Sequence, residues 1–141
     1  MITVTCNGCF DGLHPGHMFY LGFCRGQGDK LFVGINSDRH IRESKKRDPI
    51  PAEERKAALM SLGFIAGVCI FDEDEPSEFI ASIRPNVHCT GAEYAGACPE
   101  EGICEEIGAR LVFVPRIGDW SCSGMRLTHE RDDKGFLTKK G

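Results

Sequence analysis

His14 and His17 stand three positions apart at the mouth of an apolar-periodic stretch, residues 18–24, that reads as a helix opened by Pro15. Residues three apart share a helix face, so both imidazoles can point at one anion lying on the helix N-terminus. Unpaired N–H groups and the helix dipole favour negative charge there. An imidazole, with its reference pKa of about 6.5, donates hydrogen bonds to phosphoryl oxygens in either protonation state. Gly16 between the histidines removes a side chain where a nucleotide must come close, and Gly8 and Gly12 lie in the loop before them. The chemistry this arrangement suits is binding and turnover of a nucleoside triphosphate. The bland alternative is a helix cap plus a surface histidine. A metal pair fits less well, since helical ligands usually sit at i, i+4 and no third ligand is evident.

Placing these residues requires a strand before them and a sheet around them. Residues 2–6 form a short apolar run that reads as a buried first strand, and residues 31–35, 68–71, 86–90 and 111–114 read as four more. Helical patterns alternate with them. Gly28 is expected to cap the first helix; Pro51 opens the next, with Glu53 and Glu54 in its first turn, Leu59 and Leu62 on its inner face and Gly63 at its end. Pro76 precedes a helix carrying Phe79, Ile80 and Ile83, and Gly108 caps a helix over residues 100–107. A last helix is expected near Ser121, followed by a frayed polar tail over residues 132–141. The acidic run at residues 72–75 reads as a solvated helix N-terminus with no chemistry. Such alternation predicts an α/β sandwich around a five-stranded, mostly parallel sheet, in one domain over residues 1–131. In such sheets ligands bind beyond the carboxyl ends of the strands, which gathers four loops: residues 7–17, 36–51, 90–97 and 115–123.

Composition narrows the class. A chain of 141 residues that is 41% hydrophobic and 27% charged reads as an ordinary soluble globular domain. No apolar run approaches the ~20 residues of a membrane span, and the expected location is the cytoplasm. A formal charge of -4 argues against sequence-independent binding of nucleic acid. The eight cysteines include a C-x-x-C pair, Cys6 and Cys9, and a looser group of His88, Cys89, Cys98 and Cys104. No second pair at zinc-ribbon spacing follows, and the cysteines read as buried, reduced, small hydrophobes. No metal-ligating set is assigned.

Two further segments point at phosphate. Residues 39–47 hold five cations, Arg39, Arg42, Lys45, Lys46 and Arg47, against the single carboxylate Glu43, in an otherwise acidic chain. A solvated charge run is the usual account, but this one follows the second strand and falls beside the histidine loop. Arg116, Ser121 and Ser123 sit where a helix start can offer hydroxyl and amide donors to an anion, with simple capping as the alternative.

The segment Gly8-Cys9-Phe10-Asp11-Gly12-Leu13-His14-Pro15-Gly16-His17 resembles the G-x-F-D-x-x-H-x-G-H signature of the cytidylyltransferase-like nucleotidyltransferases. The likeness continues through Gly28-Asp29, Asn36-Ser37-Asp38, Glu54-Arg55, Phe71-Asp72-Glu73-Asp74, Ile83-Arg84-Pro85-Asn86-Val87, Gly91-Ala92-Glu93-Tyr94, Pro115-Arg116 and Ser121-Cys122-Ser123. Within the family the chain looks most like the adenylyltransferase domain of ADP-heptose synthases, and next like glycerol-3-phosphate cytidylyltransferase. The resemblance implies a Rossmann-like three-layer fold and a reaction in which NTP and a phosphorylated small molecule give an NDP-linked product and pyrophosphate. It implies His14, His17 and Lys46 as catalytic, with Lys45 the adjacent alternative. It implies Gly8, Cys9, Phe10, Gly16, Glu93, Arg116, Ser121, Cys122 and Ser123 around the nucleotide, and Asp11, Asp38 and Arg55 around the second substrate, with Arg55 meeting a phosphate or a neighbouring carboxylate. It also implies Mg²⁺, with Asp11 as a contact, and a homodimer in some members. The chain departs from the family pattern at Cys122, which loses a hydroxyl, at Asp119, and at Thr90, Ala92 and Glu93, where ADP-heptose synthases resemble K-G-G-D-Y.

Two other classes compete. Asp38 after the second strand sits where a ribose-binding carboxylate of an NAD(P)-dependent oxidoreductase belongs, but no G-x-G-x-x-G precedes it. A nucleotide-binding protein without turnover has no reason to keep both histidines and the basic run. Replacing either histidine, His14→Ala or His17→Ala, is expected to lower kcat by about 10²- to 10³-fold with the fold intact. Near-normal turnover in either variant, with unchanged circular dichroism, sinks the assignment.

Overall fold

The computed structural model describes residues 1–73 and 75–116, together with the backbone of two short strands further on. The chain runs β1 (Thr3–Gly8), α1 (Pro15–Arg25), β2 (Lys30–Asn36), α2 (Asp38–Lys45), α3 (Ala52–Met60), β3 (Gly67–Phe71), α4 (Ser77–Ile83), β4 (Val87–Gly91), a 3₁₀ turn (Ala92–Tyr94), α5 (Glu101–Ile107) and β5 (Arg110–Val114). A two-residue antiparallel ribbon, β6 (Glu130–Arg131) with β7 (Leu137–Thr138), lies across the point where the polar tail was expected to begin. The helix expected near Ser121, and Ser121, Cys122 and Ser123 themselves, fall outside the described residues.

All four pairings in the main sheet are parallel, and its strand order is β3-β2-β1-β4-β5. The chain therefore winds outward through β1, β2 and β3, then returns to the other edge of β1 with β4. That reversal opens a crevice at the carboxyl ends of β1 and β4, the place where ligands enter sheets of this kind. Helices cover both faces, which is why Val87, His88, Cys89 and Thr90 of β4 are all buried despite strand alternation. One face carries the main core, with Val4, Cys6, Leu21, Cys24, Val33, Leu59, Cys89 and Val114 among its members. The architecture is the α/β sandwich expected from the strand–helix alternation, as a fully parallel sheet.

Two local expectations need correction. Gly28 does not cap α1; the cap is Gly26, whose N–H reaches the carbonyls of Gly22 and Cys24. Gly28 is there because a Cβ would come within 2.8 Å of the Ile2 carbonyl oxygen and 2.7 Å of Val4 Cγ2, so the chain end is packed directly against it. The stretch over residues 36–51 is not an open loop. Ser37 accepts a hydrogen bond from the His40 N–H and starts α2, an almost wholly solvated helix that buries only Ile41. Its polarity hid the helix from a reading based on apolar periodicity. Gly108, by contrast, ends α5 in the left-handed conformation as expected, with φ at 78°.

Candidate active site

Pro15 starts α1 immediately after His14, and the two histidines cap the helix between them. His14 Nδ1 accepts from the Gly16 N–H at 3.0 Å, and His17 Nδ1 accepts from the His14 N–H at 3.3 Å, which is a capping box made of imidazoles. A ring nitrogen that accepts carries no proton, so the neutral form of each ring holds its hydrogen on Nε2. The rings stack with centroids 3.8 Å apart. Burial lowers the pKa of His14. Burial and the neighbouring His14 bring His17 to about 4, against a smaller opposing contribution from a backbone hydrogen bond at Gly12. Both rings are therefore neutral hydrogen-bond donors near pH 7 until an anion arrives. Phe10, in the left-handed region at φ 48°, packs its buried ring edge-on to His17 at 5.2 Å. Gly8 makes room for that ring, since a Cβ there would come within 2.9 Å of it.

These residues stand at one side of a cavity of about 670 Å³ at the reversal point of the sheet. Of the residues expected to touch ligands, Gly8, Cys9, Phe10, Asp11, His14, Gly16, His17, Glu93 and Arg116 form its wall. Cys9 is no nucleophile: its Sγ points to Asn36 Oδ1 at 3.4 Å, and burial pushes the thiol up against the pull of Lys45, Arg55 and Arg47. Its partner in the C-x-x-C spacing, Cys6, is a core residue of β1; burial and a hydrogen bond with Cys6 raise Cys24, and a hydrogen bond with Cys24 together with burial raises Cys89.

Arg55 and Asp38, expected at the second substrate, are not in the cavity wall. The Arg55 side chain is fully buried and donates Nε to the Ile50 carbonyl at 2.7 Å, Nη1 to the carbonyls of Cys9 and Asn36 at 3.0 and 2.8 Å, and Nη2 to Asp38 Oδ1 at 2.6 Å. These bonds occupy both faces of the fork, so Arg55 fastens α3 to the ends of β1 and β2 and to the first turn of α2. It shapes the site without reaching a ligand.

Lys46 also differs from expectation. It is the left-handed cap of α2, at φ 58°, exposed and outside the wall, while Lys45 and Arg47 on either side of it line the cavity. One residue of helical rotation decides which lysine faces inward. Arg39 and Arg42 are engaged at the surface, Arg39 with Asp72 and Glu43 and Arg42 with Asp48. Arg47 pairs with Asp11, whose other oxygen accepts the Ile50 N–H at 2.8 Å. Burial alone would raise the Asp11 carboxyl, but those two hydrogen bonds and the Arg47 and Arg55 charges hold it below the usual range.

The acidic run after β3 does more than expected. Asp72 holds Arg39 of α2 and accepts from the Ser37 hydroxyl, and Phe71, Glu75 and Pro76 complete the wall. Asn7, at the start of the loop over residues 7–17, is also in the wall; sequence reasoning missed Tyr20 and Glu100 there, neither of which carries a local motif. Tyr20 donates to the Cys89 carbonyl at 3.3 Å, and burial keeps its phenol protonated.

Residues 5–118 match the cytidylyltransferase-like family model. The chain belongs to the cytidylyltransferase-like family. It is 38% identical over 126 residues to the bifunctional protein HldE of Streptomyces coelicolor, covering 87% of this chain and 27% of that protein. The likeness to HldE of Koribacter versatilis is 46% over 122 residues, covering 84% and 25%. The chain thus spans about a quarter of the length of these relatives. Among solved structures, a lipopolysaccharide core biosynthesis protein from Thermoplasma volcanium superposes with a TM-score of 0.66 at 25% identity, over 82% of this chain and 96% of that one. A pantoate-beta-alanine ligase from Francisella tularensis shares the fold alone, at a TM-score of 0.58 and 11% identity, over 96% of this chain and 62% of that one. The family places the chain among nucleotidyltransferases, a class with which the histidine-capped helix and the cavity at the sheet reversal are consistent.

Two measurements check this geometry. NMR titration of His17 in the ligand-free protein is expected to give a midpoint near 4, moving up when pyrophosphate is added, because an adjacent anion favours the imidazolium. A midpoint near the free value of ~6.5 without ligand contradicts the buried, stacked pair. Arg55→Met is expected to cost about 3–5 kcal/mol, the scale for removing one partner of a buried ion pair, and to lower Tm by roughly 10 °C. A variant with wild-type Tm that loses only affinity for a phosphorylated substrate returns Arg55 to the ligand.

Proposed function

We propose that this chain transfers a nucleoside monophosphate from an NTP to the phosphate of a small phosphorylated sugar or polyol, releasing pyrophosphate. Adenylyl transfer of the ADP-heptose synthase type is the leading form. The observation that carries the proposal is the stacked His14–His17 pair, locked by its own capping box at the N-terminus of α1 and facing a cavity large enough for two substrates. HldE relatives at about 40% identity over most of the chain support the same reading.

In the reaction an oxygen of the acceptor phosphate attacks the α-phosphorus in line. A new P–O bond forms, the bond from the α-phosphorus to the bridging oxygen breaks, and the electron pair leaves on pyrophosphate. The protein performs little covalent work, so the rate rests on positioning and on stabilising charge. The Nε2–H groups of His14 and His17 serve the phosphoryl oxygens. Backbone amides from Gly8 to Phe10 hold the α-phosphate, and Lys45 and Arg47 supply the cationic side. Lys45 takes the role first expected of Lys46, because it is the lysine in the wall.

A magnesium ion fits here as an ion carried by the triphosphate. Among the described residues no cluster of three or more His, Cys, Asp or Glu is gathered to cage a metal. Asp11 is already bonded to Arg47 and the Ile50 N–H, which suits it to an outer-shell contact. When bound, the ion neutralises charge across phosphate oxygens.

Thr90 and Glu93, at the positions where ADP-heptose synthases carry Lys and Asp, keep cytidylyl transfer to an alcohol phosphate as the second reading. A pyrophosphate-release assay crossing ATP and CTP with heptose, glycerol, ethanolamine and choline phosphates decides between them. The expected result is turnover with ATP and a sugar phosphate, abolished by excess chelator. Turnover only with CTP selects the second reading, and no release with any combination overturns nucleotidyl transfer.

A further inference from the structure

The cavity wall contains a buried carboxylate that the phosphate chemistry does not use. Glu100, at the end of the segment after β4, is 5% exposed, yet it forms part of the wall. Behind it a line of polar contacts crosses the sheet: Thr5 Oγ1 meets His88 Nδ1 at 2.7 Å, and His88 Nε2 lies 3.7 Å from Glu100 Oε1. His88 is fully buried, and among the described residues its Nε2 has no hydrogen-bond partner. Cys98 Sγ donates to the same Oε1 at 3.4 Å. Burial would raise the Glu100 carboxyl, but His88, Cys98 and Thr90 together hold it below its usual range, so it faces the cavity as an anion. A carboxylate offers about four acceptor positions, so these neighbours leave capacity towards the cavity.

The surrounding wall says which donor. The histidines and the N-terminus of α1 stand at β1, and Lys45 and Arg47 lie at the end of α2, beyond β2. Glu100 instead borders Thr90 and Gly91 at the end of β4, beside Val114 and Pro115 at the end of β5, with Pro99 next to it. Among the described residues, Glu93 and Arg116 are the other charged groups on this side, and both are exposed. The small and apolar lining of Gly91, Pro99, Val114 and Pro115 suits a heterocycle, whereas Glu100 would repel a phosphate.

We propose that Glu100 reads the nucleobase, accepting a hydrogen bond from the exocyclic amine of adenine or cytosine and rejecting bases with a carbonyl at that position. The inference rests on the nucleotidyl-transfer reading. Its test uses binding without the acceptor, so the two can fail separately. ATP, ITP, CTP and UTP are titrated calorimetrically into the full chain and into Glu100→Gln. The wild type is expected to bind ATP over ITP, or CTP over UTP, by roughly 10- to 100-fold, the scale of a hydrogen bond to a charged group. In Glu100→Gln the ratio should fall to within about threefold, because an amide can turn its N–H₂ to a carbonyl. Should the amide variant fail to fold by thermal unfolding, Glu100→Asp, which withdraws the carboxylate by one methylene, should reduce the ratio while keeping the charge. Wild-type ratios near one overturn the proposal, as do ratios unchanged in the folded variants. Binding of none of the four nucleotides overturns both this proposal and nucleotidyl transfer; equal binding of amino and carbonyl bases overturns this one alone.

Discussion

The Arg55 fork is the interaction on which the rest of the site depends. One buried guanidinium takes the carbonyls of Cys9, Asn36 and Ile50 and the carboxylate of Asp38, so four segments share one anchor. Backbone carbonyls at strand ends have lost their sheet partners and are costly to bury unpaired. Arg55 meets two of them, and it sets the path of the histidine loop, which leaves the sheet at Cys9. The surface pairs of Arg39 and Arg42 are open to solvent and screened, so they tune α2 without determining its place. The same bonds that make Arg55 central to the architecture hold it behind the cavity wall.

A second constraint is the mutual capping of His14 and His17. The capping box spends both Nδ1 atoms on backbone N–H groups, which fixes the tautomers and the ring planes before any substrate arrives. Stacking at 3.8 Å makes two imidazolium charges together unfavourable, and the depressed pKa of His17 follows from that and from burial. The pair is therefore neutral without ligand and gains charge more easily once an anion lies beside it. Preorganisation of this kind, with no rearrangement at the moment of reaction, is what makes electrostatic stabilisation effective.

The two sides of the cavity differ in chemistry. Helix α1, the histidines, Lys45 and Arg47 line one side, whereas the ends of β4 and β5 bring Thr90, Val114, Pro115 and Glu100 to the other. That division follows from the strand order, because β4 joins the sheet on the opposite edge of β1 from β2. Any ligand that lies across the reversal point meets both sides at once.

Much of this was legible in the sequence. The strand–helix alternation gave the α/β class, and the spacing of His14, Pro15, Gly16 and His17 gave the helix mouth, because both are local patterns with periods set by backbone geometry. Residues that act through distant partners were not legible. Arg55 reads as the partner of a phosphate or of a neighbouring carboxylate, and only the fold shows that the carboxylate is Asp38 and that the carbonyls of Cys9 and Asn36 share the fork; Glu100 looks like a helix start until His88 is found behind it. Lys45 and Lys46 are interchangeable in a sequence, and only the position where α2 ends turns one inward and the other out. By itself the sequence determined the elements and the loop that carries the histidines. The tertiary structure decided which charges are spent inside the protein and which remain for a ligand, because pairing of a charge depends on what the fold brings within 3 Å of it, some 46 residues away in the case of Arg55 and Cys9.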